Sequence, residues 1–277
     1  MTNAFSAPVD RDLVIVRGRD ATSFLQSLVS QDLDALPVGE SAHSLLLQPQ
    51  GKLVADFYIR HAQEHEWWCV CEGGFGAALA EGLNRFKIRV KAEVEARPVT
   101  ALAVRGAEPP ANTFGTDIVA VGWDGLAAYD AIGTEAAVTA LREALGFPVV
   151  DGRAYERARI EAGVPRMGAD LDEKTIPQEA GLERDAVSFT KGCFVGQELV
   201  CRIDTRGHVN RLLRRLRAAA PLEAGAEVTF GPKVVGVVTS AVDEVGLAMI
   251  RREVELGAEV RAGAVTAAVE PGSIASS

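Results

Sequence analysis

The stretch SFTKGCFVGQELVCR, residues 188–202, places Cys193 between two glycines and close behind a lysine. A buried cysteine more often lies in an apolar run, where it acts as a small hydrophobic residue. If a helix begins near Gly196, Cys193 lies just before it, where unpaired backbone N–H groups and the helix dipole favour an anion. Lys191 adds a positive charge. The pattern predicts a stabilised thiolate that could act as a nucleophile or soft-metal ligand, and an inert residue in a glycine-rich turn fits the spacing equally well.

The chain before this stretch alternates short strands with single helices. A strand is predicted over Leu13–Val16, followed by a helix that Asp20 is placed to cap. Pro49–Gly51 reads as a hairpin connection, and an alternating strand is predicted around residues 87–94. Residues 134–145 have the apolar spacing of a helix. This mixture predicts an α+β fold.

The pattern changes in the second half of the chain. A helix ends at Gly163, a long irregular connection follows, and short strands separated by Gly and Pro begin after Arg211. We predict a small C-terminal β-barrel there. The predicted domains are an α+β body over 1–210 and a barrel over 211–277, and the two lobes of the body are 1–50 with 147–210, and 51–146.

Composition excludes several classes of protein. No apolar run approaches the roughly 20 residues that cross a bilayer, and no secretory signal is visible, so we expect a cytoplasmic protein with no membrane association. The net charge of −9 argues against nucleic-acid binding by the whole surface. The four cysteines do not form a disulfide framework, and Cys69 and Cys71 are predicted to share one buried face of a strand. Because no C-x-x-C spacing is present, we expect no metal site.

Two sets of charged residues are candidates for ligand recognition. Asp56, Glu161 and Glu179 stand beside turns, and a carboxylate can accept two parallel N–H bonds from a pterin-like ring. Taken singly, each of them is better explained as an ordinary helix or turn charge. Residues 202–217 carry six arginines against one aspartate, which suits an anionic small molecule, a glutamate tail or RNA. The alternative is that these arginines solvate a helix face and the first barrel strand.

Residues 159–216 resemble the signature half of the YgfZ family of folate-binding proteins. The family motif K-G-C-[FY]-x-G-Q-E is matched completely, and residues 17–33 resemble the family's N-terminal helix. The motif positions are Lys191, Gly192, Cys193, Phe194, Gly196, Gln197 and Glu198.

This resemblance implies a fold related to the aminomethyltransferase of the glycine cleavage system, with tetrahydrofolate or a derivative bound in the central body. It also implies a role in assembling, maintaining or repairing iron–sulfur clusters, with the motif thiol central to it. Cys193 and Lys191 are therefore the expected catalytic residues. The expected folate contacts are Asp56, Glu161, Glu179, Arg202 and Arg211.

The expected partners are folate and iron–sulfur client or assembly proteins, and the expected state is a monomer. An aminomethyl or demethylating transferase is the competing enzyme hypothesis. Aminomethyltransferases commonly have an adjacent acidic pair where this chain has Ala55-Asp56, and an acidic residue where it has Cys193, and both departures count against that hypothesis. An RNA-binding or tRNA-modification factor is a third, less favoured hypothesis.

Overall fold

The computed structural model describes residues 4–123 and 125–272. It divides into two compact units. The first, the sheet unit, comprises the chain up to Asp151 together with Arg184–Leu199. The second, the barrel unit, comprises Gly152–Glu183 together with the chain from Val200 onward.

The sheet unit is built on a seven-stranded antiparallel sheet in the order β2-β3-β4-β1-β5-β7-β6. Its elements are β1 (Phe5–Arg17), α1 (Ala21–Gln26), β2 (Ser41–Leu47), β3 (Leu53–Gln63), β4 (Glu66–Glu72), α2 (Gly76–Asn84), β5 (Glu93–Arg105), β6 (Asp117–Ala120), β7 (Ala128–Gly133) and α3 (Glu135–Leu145).

The continuous apolar run Leu13–Val16 in β1 reflects a sheet that is covered on both faces. Alternate side chains of a strand point to opposite faces. Val14 and Val16 therefore join a core beneath α1 and α2, whereas Leu13 and Ile15 join a second core on the other face. A third cluster packs α3 against β5 and β7.

Two local predictions for this unit are wrong. The Asp20 side chain does not cap α1, because its carboxylate accepts a hydrogen bond from the backbone N–H of Lys91 at 2.9 Å. The strand predicted around residues 87–94 is a loop, and β5 begins only at Glu93, where pairing with Arg17 starts. In both cases a partner distant in sequence decides the local structure.

The barrel unit contains a closed six-stranded barrel in the order β10-β11-β8-β13-β12-β9. Its elements are α4 (Gly152–Ala162), a 3-10 turn (Pro177–Glu179), β8 (Arg211–Ala218), β9 (Glu227–Phe230), β10 (Lys233–Val242), β11 (Val245–Arg251), β12 (Glu259–Ala262) and β13 (Val265–Glu270). Two helices lie at the boundaries of the units, α5 (Glu183–Ala186) and α6 (Gln197–Arg206).

Each unit encloses a buried arginine–aspartate pair. In the sheet unit Arg105 contacts Asp130 at 2.8 Å, and Arg11 contacts the second oxygen of Asp130 at 2.9 Å. Burial alone would raise the pKa of Asp130, but the two guanidinium groups hold that pKa below its usual value. In the barrel unit Arg159 contacts Asp170 at 2.7 Å. Removing either partner would leave a buried charge uncompensated.

The α+β class and the C-terminal barrel predicted from the sequence are confirmed. The helix over residues 134–145 and the hairpin connection at Pro49–Gly51 are also confirmed, by α3 and by the β2–β3 pairing. Within the described part of the chain, no helix is both long enough and apolar enough to span a membrane.

Candidate functional site

The motif residues Lys191–Gly196 lie in a loop between α5 and α6 in the sheet unit, and Gln197 and Glu198 begin α6. The backbone N–H of Ser188 donates to the carbonyl of Ser30 at 2.9 Å, which fixes the start of the loop. Helix α6 begins at Gln197, as the sequence predicts, with Glu198 exposed in its first turn. Cys193 is exposed and precedes this helix by four residues.

Lys191 fastens the loop to the end of α1. Its buried ammonium donates hydrogen bonds to the carbonyls of Gln26, Val29 and Gln31 at 2.7–2.8 Å. These bonds use all three of its N–H groups. The side chain also lies 5.5 Å from the ring centroid of buried Phe194. Burial lowers the pKa of Lys191 to about 8, against the opposing effect of nearby aspartates. A role of Lys191 in thiol chemistry stays a prediction.

The two motif glycines differ in what they require. Gly196 has a φ of +82°, and a Cβ there would lie 2.6 Å from the carbonyl oxygen of Gln48, in the β2–β3 turn. Only glycine fits that position without a shift of backbone. Gly192 has no atom within 4 Å of an added Cβ. Its absent side chain instead leaves open space beside Cys193.

Cys193 lines a surface pocket of about 460 Å³ in the sheet unit. One wall is the polar face of α1, and the remaining lining combines both signs of charge with an imidazole. Hydroxyl and amide groups therefore line the same pocket as the thiol. The other lining residues are Arg19, Thr22, Ser23, Gln26, Ser27, Asp34, His65 and Gly192.

The remaining cysteines have different surroundings. Cys69 and Cys71 lie on one buried face of β4, as predicted, and burial raises the pKa of both thiols, that of Cys71 to about 12. Cys201 is half-buried on α6. No group of three or more His, Cys, Asp or Glu side chains suited to a metal ion occurs within residues 4–123 and 125–272.

Asp56 lies on β3 in the sheet unit, on the strand face opposite buried Ala55 and Phe57. Its Oδ1 lies 2.5 Å from Nε2 of His43, whose ring stacks on Tyr58 with centroids 4.6 Å apart. Sequence reasoning missed His43. The β2–β3 register, which places His43 opposite Tyr58 and diagonal to Asp56, is the signal that could have identified it.

Glu179 and Arg211 meet in the barrel unit. Two hydrogen bonds of 2.7 and 3.1 Å join the guanidinium group to the buried carboxylate, and they raise the pKa of Arg211. The pair lines a pocket of about 750 Å³. The sequence reasoning assigned no role to the other residues of this pocket, although the β8–β11 register places Arg251 opposite Arg211. They are His208, Asn210, Arg251, Arg252 and Glu253.

The other two predicted folate contacts, Glu161 and Arg202, form no side-chain hydrogen bond or ion pair with Glu179 or Arg211. The carboxylate of Glu161, on α4, pairs with Arg157 one helical turn away at 3.2 Å. Arg202 is exposed on α6 and forms no side-chain hydrogen bond or ion pair within the described residues. Both belong to the barrel unit, whereas Asp56 and Cys193 belong to the sheet unit.

Comparison with known proteins agrees with this architecture. Residues 12–112 match the GCVT N-terminal domain, and residues 211–275 match the CAF17 C-terminal beta-barrel domain. The structure resembles that of the glycine cleavage system aminomethyltransferase T from Bartonella henselae, with a TM-score of 0.82, 22% identity, and coverage of 97% of this chain and 85% of that one. The chain is thus a GCVT-like domain combined with a CAF17-type barrel.

Two relatives place the chain more narrowly within that class. The iron–sulfur cluster assembly factor IBA57 of Homo sapiens, a mitochondrial protein, is 29% identical over 270 residues, which cover 88% of this chain and 76% of the relative. The tRNA-modifying protein YgfZ of Yersinia enterocolitica is 27% identical over 232 residues, which cover 76% of this chain and 70% of the relative. The chain is homologous to IBA57 and YgfZ.

Proposed function

We propose that this protein is a tetrahydrofolate-binding accessory factor that supports the assembly, maintenance or repair of iron–sulfur clusters in client enzymes. The thiol of Cys193 acts on, or transiently holds, the cluster or its damaged precursor. The homology to IBA57, a protein named for iron–sulfur cluster assembly, supports the general role. The use of the thiol and of folate is the finer part of the proposal.

The observation that carries the proposal is the contrast in exposure among the cysteines. Cys193 is exposed in a polar pocket, whereas Cys69 and Cys71 are buried. A thiolate is both a nucleophile and a soft-metal ligand, and either use requires access. The pocket gives a small molecule or a cluster edge room beside the sulfur.

The charged residues suit a folate in their chemistry. Asp56 offers a carboxylate that can accept N–H bonds from the pterin ring, and His43 holds one of its oxygens. Arg211 donates two of its N–H groups to Glu179. Its remaining N–H groups, and those of Arg202, can donate to the carboxylates of the glutamate tail. Glu161 is assigned to the same ligand by family resemblance alone. Tetrahydrofolate, when bound, supplies a carrier for one-carbon units.

The decisive experiment replaces Cys193 with Ala and measures two properties. We expect unchanged affinity for tetrahydrofolate in vitro. In cells in which the gene for this protein is deleted and only the variant is supplied, we expect loss of iron–sulfur enzyme activity. Cys201→Ala is the matched control, because Cys201 lies on α6 only eight residues further along the chain. Full activity with Cys193→Ala would show that the thiol is structural and would overturn the proposed use of Cys193.

A folate-dependent aminomethyltransferase is the second candidate, and the resemblance of the fold to aminomethyltransferase T favours it. In that case Asp56 would orient the folate and Cys193 would be structural. Purified protein given tetrahydrofolate and an aminomethylated carrier protein distinguishes the two functions. Release of methylenetetrahydrofolate would refute the accessory role, and we expect none.

A further inference from the structure

A second feature of the sheet unit lies outside the motif: the loop Arg85–Lys91, RFKIRVK, which we call the basic loop. It contains four cations and no acidic residue, in a chain whose net charge is −9. Two large apolar side chains alternate with the cations, and both are exposed, Phe86 at 40% and Ile88 at 77%. Single exposed apolar residues are ordinary, but these two lie between positively charged side chains.

Two of the four cations of the basic loop have no charged partner within the described residues. Arg85 forms an ion pair with Glu81 at 2.7 Å on the surface of α2. The side chains of Lys87 and Arg89 form no ion pair or hydrogen bond with any residue in the described ranges. Arg89 is exposed and Lys87 is half-buried, so both cations are available to a carboxylate of another molecule.

The basic loop also has its own backbone hydrogen bonds. The N–H groups of Phe86, Lys87 and Ile88 donate to the carbonyls of Leu83, Asn84 and Phe86 at 3.0–3.1 Å. Arg89 has a φ of +59°, a conformation that costs a non-glycine residue about 1 kcal/mol or more. An ordered loop loses little conformational entropy on binding, so it can serve as a preformed contact surface.

The end of the basic loop is tied to the rim of the Cys193 pocket. The N–H of Lys91 donates to the carboxylate of Asp20, and the N–H of Asp20 donates back to the carbonyl of Lys91. Asp20 is adjacent to Arg19, which lines the pocket, and the N–H of Gly18 donates to the carbonyl of His65, another lining residue. One turn, Gly18–Asp20, therefore connects the basic loop with the pocket that contains the thiol.

We propose that the basic loop is a docking surface for an acidic segment of a partner protein, which contributes aliphatic side chains to Phe86 and Ile88 and carboxylates to Lys87 and Arg89. The segment then continues along the Gly18–Asp20 turn to Cys193. The statement that this partner is an iron–sulfur client or assembly protein rests on the proposed function. The docking surface itself rests on the exposure, charge and connectivity of the loop.

The observations favour a protein partner over RNA. The loop offers a single aromatic side chain, Phe86, and its more exposed apolar side chain is aliphatic Ile88, so it lacks a row of aromatic rings on which successive bases could stack. The chain as a whole is acidic, with a pI near 5.1, so a long polyanion is repelled by the remaining surface, whereas a short acidic segment needs only a few local cations.

The test uses two synthetic peptides of about eight residues, one with Asp and Glu flanking two Leu, the other with Asn and Gln in place of the acids. Each ends in a cysteine that carries a 2-pyridyl disulfide. The Cys193 thiolate attacks the sulfur of the peptide cysteine and forms a mixed disulfide with it. The bond between that sulfur and the pyridyl sulfur breaks, and the leaving group takes up a proton to become pyridine-2-thione. The release of this product gives the rate. A Cys201→Ser background leaves Cys193 as the exposed thiol.

We expect the acidic peptide to react about tenfold or more faster than the neutral one at low salt, through its raised local concentration. High salt should remove the advantage. The double variants Phe86→Ser/Ile88→Ser and Lys87→Glu/Arg89→Glu should each abolish it. Val234→Ser/Val237→Ser, which removes two exposed apolar side chains from the barrel unit, and Lys174→Glu/Lys233→Glu, which reverses two exposed charges there, should leave it intact.

Equal rates for the two peptides, or an advantage that survives the loop variants, would overturn the proposal. The proposal would also be overturned if tRNA or anionic vesicles bound through the loop and the acidic peptide did not bind there. The outcome is separable from that of the proposed function. If the acidic peptide reacts faster and cells with Cys193→Ala keep iron–sulfur enzyme activity, the docking surface is supported and the role of the thiol is refuted. If the two peptides react equally and those cells lose the activity, the docking surface is refuted and the role of the thiol is supported.

Discussion

The two buried cysteines of β4 and the exposed cysteine of the motif place the same side chain in two opposite environments. Cys69 and Cys71 alternate with Trp and Val in an interior strand, and burial suppresses their ionisation. Cys193 lies in a loop whose position is fixed by its neighbours, Lys191 and Gly196, through backbone contacts. Because the loop is anchored by these neighbours, the thiol itself contributes little to packing and is left exposed.

The largest expected effect is on thiol reactivity. With iodoacetamide at pH 7.5, Cys193 should be alkylated at least about 10³-fold faster than Cys69 or Cys71, because alkylation requires both access and thiolate. The thiolate fraction of Cys71 stays negligible until the pH approaches about 12. Peptide mapping by mass spectrometry over time measures the three rates. In denaturant the rates should converge, and fast native labelling of Cys69 would contradict the comparison.

The next largest effect concerns the glycines that shape the loop. Gly196→Ala should destabilise the fold by about 2–4 kcal/mol for two reasons: alanine is strained at the left-handed φ of this position, and its Cβ would clash with the backbone of Gln48. Gly192→Ala, whose Cβ meets nothing within 4 Å, should change stability by less than about 1 kcal/mol. Chemical unfolding followed by circular dichroism measures both. Equal effects of the two substitutions would mean that the close approach to Gln48 does not hold the loop.

The sequence predicted those features whose signals are local. The helix start near Gly196, the helix over residues 134–145 and the hairpin at Pro49–Gly51 all depend on residues within a few positions. The shared buried face of Cys69 and Cys71 follows from strand alternation in the same way. For these elements the pattern was sufficient.

Features set by distant partners could not be predicted. The carbonyls that bind Lys191 lie 160–165 residues away from it in sequence. The pairing of His43 with Asp56 depends on strand register. The residues around 87–94 alternate like a strand, but β5 pairs with β1 only from Glu93, so Ile88 remains exposed in a loop, whereas Ala92 is buried in the core. Alternation alone does not reveal whether a partner strand is present.

A smaller effect is expected from the lysine anchor. Lys191→Met keeps the apolar stem but removes the donor to three carbonyls, and leaving such groups without a partner should cost about 2 kcal/mol. Lys174→Met, on an exposed lysine, should be nearly neutral. Chemical unfolding gives the stability, and alkylation of Cys193 gives a second readout. The looser loop should change the alkylation rate in Lys191→Met alone, and an unchanged rate with full stability would show that the ammonium does not position the thiol.

The smallest effect should come from a buried thiol itself. Cys69→Ala removes one sulfur atom from the core between the sheet and α1 and α2, and the cavity should cost about 1 kcal/mol. Because this thiol is inaccessible, iron–sulfur enzyme activity in cells should match that of the unaltered protein at equal protein levels, in contrast to Cys193→Ala. Immunoblotting corrects for any loss of protein. A deficit in cluster enzymes at matched protein levels would assign the chemistry to more than the motif thiol, because packing alone gives Cys69 no way to influence a client.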